Sequence, residues 1–244
     1  MIDPKIPLVL LHAFPLSAAM WEPQRDAFGT RPVLIPNFPG FGGRPPSASD
    51  LESFGRTVLD DMDAAGIQEA VFLGLSMGGY VSFRILGEAP ERVAGLVLAD
   101  TRSGADDQAA RAKRTEQAAR VRREGVGWLM EALIPALLGP TTLRERRGVE
   151  AAVRRMFEGA EPEGVARALE AMRDRPDSTP LLRETFVPTL VLVGEEDTLT
   201  PLEDGRSMAS AIPDARLHII PGAGHLSNLE APGAFNAALE TFLA

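Results

Sequence analysis

Ser76 stands inside Gly74-Leu75-Ser76-Met77-Gly78, a serine with a glycine two residues to either side. A serine hydroxyl attacks usefully only when a neighbouring base takes its proton during the step. The chain holds three histidines. Of these, His225 lies in the loop-like stretch Gly222-Ala223-Gly224-His225-Leu226. Neutral imidazole, with an unperturbed pKa of about 6.5, suits that proton transfer near neutrality. A carboxylate is then needed to hold the imidazole tautomer and to stabilise the imidazolium. Asp197, three residues after Gly194 in Gly194-Glu195-Glu196-Asp197, is placed for the role, and Glu195, Glu196 and Asp100 compete for it. The chemistry such a set supports is acyl transfer through a covalent serine intermediate.

The surrounding elements give these residues their positions. Ala70-Val71-Phe72-Leu73 is short, apolar and partly β-branched, as a buried strand should be. Tyr80 to Leu86 carries apolar residues at helical spacing, with Pro90 past the helix end. Ser76 is therefore expected on a sharp strand-to-helix turn. Glycines keep Cβ atoms out of the crossing there, and the helix N-terminus offers the Met77 amide to a developing oxyanion. Thr189 to Val193 reads as a strand that opens into the acidic loop, and Pro201 as the start of the next helix. Arg216 to Ile220 reads as a strand containing His218, with His225 in the loop that follows. Catalytic groups of parallel α/β sheets sit on such loops, at the carboxyl ends of the strands.

Residues 1–100 read strand, strand, helix (50–66), strand, helix, strand, an alternation that builds a parallel sheet with right-handed crossovers. The strand pattern stops from about 101 to 185. There Arg111–Glu124 is charged and helical, Val126–Leu138 is apolar and helical, and two short helical stretches are expected between 141 and 174. This segment holds 16 basic and 14 acidic residues, against 9 and 20 elsewhere, so it is a distinct insertion. Residues 186–244 resume strand and helix.

The order Ser76, Asp197, His225, with Gly-x-Ser-x-Gly at a strand-to-helix turn, resembles the α/β-hydrolase fold over nearly the whole chain. Leu11-His12-Ala13-Phe14-Pro15 stands where that family has its oxyanion loop, with Ala13 in place of the usual glycine. Pro36-Asn37-Phe38-Pro39-Gly40-Phe41-Gly42 resembles the family's aspartate–proline–glycine turn, with Asn37 for aspartate. Met20-Trp21-Glu22-Pro23-Gln24 is similar to the helix start of 3-oxoadipate enol-lactonase-like proteins and related esterases. The lactonase, esterase and cofactor-free perhydrolase branch is the nearest resemblance.

That resemblance implies a mostly parallel, doubly wound sheet of about six strands, with little room for an antiparallel hairpin ahead of Leu8–Leu11. It implies a hydrolase core at 1–100 and 186–244 and a helical cap at 101–185. Ser76, Asp197 and His225 would be catalytic, the Phe14 amide would join that of Met77 in an oxyanion hole, and no cofactor or metal would be needed. His12, Trp128, Leu129, Leu133, Leu199 and Leu226 would line the substrate pocket. Trp128, Leu129, Leu133 and Leu137 form an apolar face at helical spacing. Serine at the turn excludes the aspartate-nucleophile relatives, the haloalkane dehalogenases and epoxide hydrolases. The expected function is hydrolysis of small carboxylic esters or lactones through an acyl-enzyme. An enol-lactonase, perhydrolase or hydroxynitrile lyase would use the same residues, and a small-molecule receptor of this fold is the alternative of another class.

Composition agrees with a small-molecule enzyme. At 244 residues, 45% of them hydrophobic, the chain can bury one core with an insertion. With no cysteine there is no disulfide, thiol nucleophile or thiolate metal site. The three histidines are scattered, without a His-x-x-x-His pair, so a metal site is not expected. No apolar run approaches the roughly 20 residues of a membrane span, and no export signal is visible, so a cytoplasmic location is expected. A net charge of −9 disfavours nucleic acid and anionic membranes as partners. Oligomeric state leaves no mark. Twenty-three of the 25 basic residues are arginine, yet no arginine cluster announces a charged substrate.

Overall fold

The computed structural model describes residues 2–47 and 49–244. Six strands are β1 (Leu8–Leu11), β2 (Val33–Leu34), β3 (Ala70–Leu75), β4 (Val93–Ala99), β5 (Thr189–Gly194) and β6 (Arg216–Ile220). Helices α1 (Glu22–Ala27), α2 (Leu51–Ala64) and α3 (Met77–Glu88) lie among the first four strands. Between β4 and β5 come α4 (Gln108–Glu124), α5 (Gly127–Leu137), α6 (Pro140–Glu145), α7 (Arg147–Glu158), α8 (Pro162–Arg173) and α9 (Thr179–Arg183). The chain continues through α10 (Leu202–Ala211), α11 (Ser227–Glu230) and α12 (Pro232–Leu243).

All six strands pair in parallel, in the order β2-β1-β3-β4-β5-β6. This is the parallel α/β sheet that the alternating pattern implies. The chain moves outward from β1 to β2 and then returns to the other side of β1 with β3. The reversal leaves a crevice at the carboxyl ends of β1 and β3, where open α/β sheets bind ligands. Ser76 follows β3 and the segment from His12 to Phe14 follows β1, so both arrive at that crevice.

Successive strand residues feed opposite faces. Val9, Leu11, Phe72, Leu96, Leu98 and Val191 pack into one apolar layer beneath α2, α3 and α10. Leu8, Leu10, Val71, Leu73, Val97 and Leu190 pack into the other beneath α1 and α12. Burial on both faces explains why β1, β3 and β5 read as continuous apolar runs rather than as alternating ones.

Several boundaries differ from the sequence expectation, each for a local reason. Helix α2 starts one residue past Asp50, whose carboxylate accepts the Ser53 amide at 2.6 Å, and stops before Gly66 at φ 71°. Helix α4 starts at Gln108 because Asp107 caps it in the same way through Ala110 N, at 2.8 Å. Between 140 and 173 there are three helices rather than two, because Arg146 (φ −123°, ψ 52°) breaks the chain between α6 and α7. Pro201 occupies the residue before α10 rather than its first turn. Among the described residues no helix is long and apolar enough to cross a membrane.

Candidate active site

Ser76 caps α3 with φ 54° and ψ −113°, a left-handed backbone that non-glycine residues rarely adopt. Its backbone is held on all sides. Ser76 N donates to Ala99 O at 3.0 Å, and its carbonyl accepts from Gly79 N at 2.9 Å and from Thr101 Oγ1 at 2.8 Å. The side chain makes no capping bond, so the hydroxyl stays free. The flanking glycines are a packing requirement: a Cβ on Gly74 would run into the Gly78 backbone, and one on Gly78 into the Leu11 carbonyl. The turn is thus pinned between β1 and β4.

Asp197 and His225 come from neighbouring loops that are bonded to each other. Glu195 N donates to Ile220 O at 3.0 Å and Glu196 N to Ala223 O at 2.8 Å, which lays the acidic loop along the histidine loop. His225 Nδ1 lies 2.8 Å from Asp197 Oδ2. The other Asp197 oxygen accepts the amides of Leu199 at 2.8 Å and Thr200 at 3.0 Å, and Thr200 Oγ1 donates to Oδ2 at 2.6 Å. Burial pushes the Asp197 carboxyl up, but the His225 charge and the hydrogen bonds from His225 and Thr200 outweigh it and hold the pKa below the usual range. Burial opposes a charged His225 as well. The charge and hydrogen bond of Asp197 prevail and keep its pKa above the ordinary imidazole value.

The competing acids are spent elsewhere. Asp100, fully buried, accepts Gly194 N at 2.7 Å and hydrogen bonds from Ser227 Oγ and Ser227 N. Burial first, and the Asp197 charge second, push its pKa well up. Glu195 accepts Gly222 N at 3.0 Å. Glu196 accepts the Thr141 amide at 2.9 Å and hydroxyl at 2.5 Å, which ties α6 to the acidic loop.

Ser76 and His225 line one cavity of about 130 Å³, whose walls include Phe14, Leu133, Leu199 and Thr200. A larger hollow of about 480 Å³ beside Leu16, Phe41 and Met156 contains no histidine. Of the residues expected in the pocket, Leu133 and Leu199 reach the cavity wall, and His12, Trp128, Leu129 and Leu226 do not. Leu129 and Leu226 are buried in the apolar layers, and Trp128 lies beneath the Arg120 guanidinium, 4.1 Å from its ring centroid. His12 is buried against Phe38 and Phe41. Its Nε2 accepts the Phe38 amide at 3.0 Å and its Nδ1 faces Ala13 O at 3.0 Å, so a neutral ring spans two loops. Burial lowers its pKa to about 4. Met77 directly follows Ser76 and Phe14 lines the same cavity, and neither amide makes a hydrogen bond to protein among the described residues.

The insertion adds residues that sequence reasoning missed. Arg114 and Gln117 of α4, Leu137 of α5, Leu169 and Met172 of α8 and Arg102 at the β4 exit join the cavity wall, and Tyr80 of α3 joins it from the core. Positions 114 and 117, one helical turn apart on α4, were the available signal, but nothing local says which way α4 faces. The packing says so: α4 lies along α8, and α8 is held against the turn that follows β2 by backbone contact between Gly40 and Gly164, where either Cβ would overlap the other residue.

Residues 6–232 match the pattern of the alpha/beta hydrolase fold. The chain belongs to the α/β-hydrolase fold family. A thermophilic esterase from Thermogutta terrifontis superposes with a TM-score of 0.95 at 39% identity, over 98% of this chain and 89% of that one. The enol-lactonase of Burkholderia xenovorans LB400 gives a TM-score of 0.90 at 29% identity, over 98% and 91%. The 3-oxoadipate enol-lactonase 2 of Acinetobacter baylyi is 25% identical over 97% of this chain and 88% of its own length. With esterases and enol-lactonases as its relatives, this α/β hydrolase is an enzyme of the carboxylic ester hydrolase class.

Proposed function

We propose that the protein hydrolyses small carboxylic esters or lactones with Ser76 as nucleophile, His225 as general base and acid, and Asp197 as the carboxylate that orients the imidazole. The observation that carries this reading is the 2.8 Å His225–Asp197 pair on the cavity that Ser76 also lines. Ionised Asp197 only accepts hydrogen bonds, so the His225 proton sits on Nδ1 and leaves Nε2 to take the Ser76 proton. Attack on the acyl carbon builds an oxyanion, and the Phe14 and Met77 amides are its donors. One such donor is worth about 3–4 kcal/mol in a serine protease. The alcohol leaves with the proton from His225, and water, activated by the same base, releases the acid from the acyl-enzyme.

Residues 1–100 and 186–244 are the catalytic core in this reading, and residues 101–185 are a cap that closes the acyl site. Its docking supports that role: Gly139 N donates to Glu230 at 2.8 Å, and Arg146 donates to the Gly222 and Glu230 carbonyls at 3.0 and 2.7 Å. The substrate is a small molecule and no cofactor takes part.

An organophosphate or phenylmethylsulfonyl fluoride is expected to add once, on Ser76, by intact mass and peptide mapping. Ser76→Ala is expected to abolish turnover of p-nitrophenyl acetate. An adduct on another serine, or full activity in Ser76→Ala, overturns the assignment. Fast multiple turnover separates an enzyme from a receptor of the same fold, which would show a ligand-dependent thermal shift with slow single-turnover hydrolysis.

A further inference from the structure

We propose that the cavity carries a carboxylate-binding subsite, formed by Arg102 and Arg114 and positioned by Asp106, so that the substrate is a small ester or lactone bearing a free carboxylate. The inference rests on the hydrolase reading above for its chemistry, but its binding half stands on this cluster alone.

Asp106 has no exposed side-chain surface, and three guanidiniums converge on it. Arg102 Nη2 reaches Oδ1 at 3.1 Å, Arg175 Nη2 reaches Oδ1 at 2.8 Å, and Arg114 Nε reaches Oδ2 at 2.5 Å. Burial opposes the Asp106 charge, but the hydrogen bonds and charges of Arg114 and Arg175 hold its pKa below the ordinary range. The three arginines differ in what remains of them. Arg175 is buried and consumed by structure: it donates to Met172 O at 2.8 Å and Gly104 O at 3.1 Å and stacks on Tyr80 at 4.3 Å. Arg102 and Arg114 instead line the cavity that holds Ser76 and His225.

Neither of those two is saturated by the protein. A guanidinium offers five N–H donors in a fixed fork matched to a carboxylate. Arg114 commits Nε to Asp106, and its Nη1 faces only the Met172 sulfur at 3.7 Å, a weak acceptor. Arg102 commits Nη2 to Asp106 and also meets the Tyr80 hydroxyl on the cavity wall, while its Nε is buried without a partner. Gln117, one turn along α4, adds an amide to the same wall. The other carboxylate that acts on this cluster is Asp204, half-exposed, whose charge is felt by Arg102 and Arg175. Three guanidiniums thus face two carboxylates, an excess of positive charge at one wall of a cavity in a protein of net charge −9. A neutral ester would leave that excess uncompensated in a small, partly desolvated space. A substrate carboxylate would complete it.

The test compares esters of matched shape that differ only in charge: methyl hydrogen succinate against methyl 4-methylpentanoate, and acetoxyacetate against isobutyl acetate. In the wild type at least one charged member is expected to exceed its neutral partner in kcat/KM by about 10- to 100-fold, the range for a hydrogen bond to a charged group. In Arg114→Gln that ratio should fall at least about tenfold, and Arg114→Lys should restore part of it. Succinate, but not succinamide, should raise the thermal midpoint of wild type and of Ser76→Ala at fixed ionic strength. That last readout needs no turnover. A succinate shift without hydrolysis of any ester therefore retains the subsite and overturns the hydrolase reading. Hydrolysis with charge ratios at or below one in both pairs overturns the subsite and retains the hydrolase. If Arg114→Gln lowers both members of a pair equally, the arginine is structural and the proposal fails. If it does not fold, the wild-type ratios and the succinate shift decide.

Discussion

Two carboxylates, Asp100 and Asp197, lie near His225, and their environments assign them different work. Asp197 bonds the imidazole directly, whereas Asp100 is saturated by Gly194 and Ser227. Asp197→Asn is expected to lose roughly three to four orders of magnitude in kcat with little change in folding, as the equivalent change does in a serine protease. Asp100→Asn should lose less than about tenfold in kcat but about 1–3 kcal/mol in stability, because an amide would face donors it cannot satisfy. Steady-state kinetics and urea unfolding of both variants separate the roles, and the reverse pattern would make Asp100 the acid. Because Asp197 raises the His225 pKa, the acid limb of kcat/KM should fall above the ordinary 6.5. A pH–rate profile with its limb below that value contradicts the pairing. His12 gives a stability prediction of opposite origin. It is unprotonated in the folded state down to about pH 4, whereas the unfolded chain takes its proton near 6.5. Between those values the unfolded state binds more protons, so this contribution is complete above pH 6.5 and is lost as pH falls toward 4. It amounts to about 3 kcal/mol at most. The difference in unfolding free energy between pH 7.5 and 4.5 should shrink by that order in His12→Gln.

The strand-to-helix turn works as a unit because backbone meets backbone on three sides. Gly78→Ala would drive a methyl into the Leu11 carbonyl, and neither β1 nor α3 has room to yield. We expect a loss of more than about 2 kcal/mol together with the activity. Gly148, in α7 with open space around its Cα, is the contrast. Gly148→Ala should gain about 0.5–1 kcal/mol from helix propensity alone and leave turnover unchanged. Thermal unfolding of both variants checks the pair; equal effects would mean that glycine matters at the turn for flexibility rather than for space.

At the scale of the whole molecule, α4, α5 and α8, three of the helices between β4 and β5, supply the outer wall of the cavity that Ser76 and His225 line. That cavity, about 130 Å³ walled by Leu133, Leu137 and Leu169, suits a short acyl group. Acetyl to butyryl p-nitrophenyl esters are expected to give the highest kcat/KM, with a steep fall for longer chains. A steady rise out to dodecanoyl esters would show an open groove instead.

What the sequence determined by itself is what neighbouring residues encode. The glycines around Ser76, the apolar runs before Gly74 and Gly194 and the Gly-rich loop at His225 are local signals, and they announce a parallel sheet with candidate chemical groups at its carboxyl end, whereas the number of strands came from the family resemblance. The tertiary structure alone decided which side chains from distant segments meet. His12 was expected beside substrate, but its ring is consumed by Phe38 N and by two phenylalanines brought in from another loop. Trp128 and Leu129 share the apolar face of α5 with Leu133 and Leu137, yet only the latter two reach the cavity, because α4 and α7 pack against the rest of that helix. Arg102 and Arg114 sit twelve positions apart among many arginines. Their convergence depends on a buried Asp106 and on the packing of α4 against α8. Periodicity says which residues share a face of a helix, whereas the direction of that face is set by contacts from elsewhere in the chain.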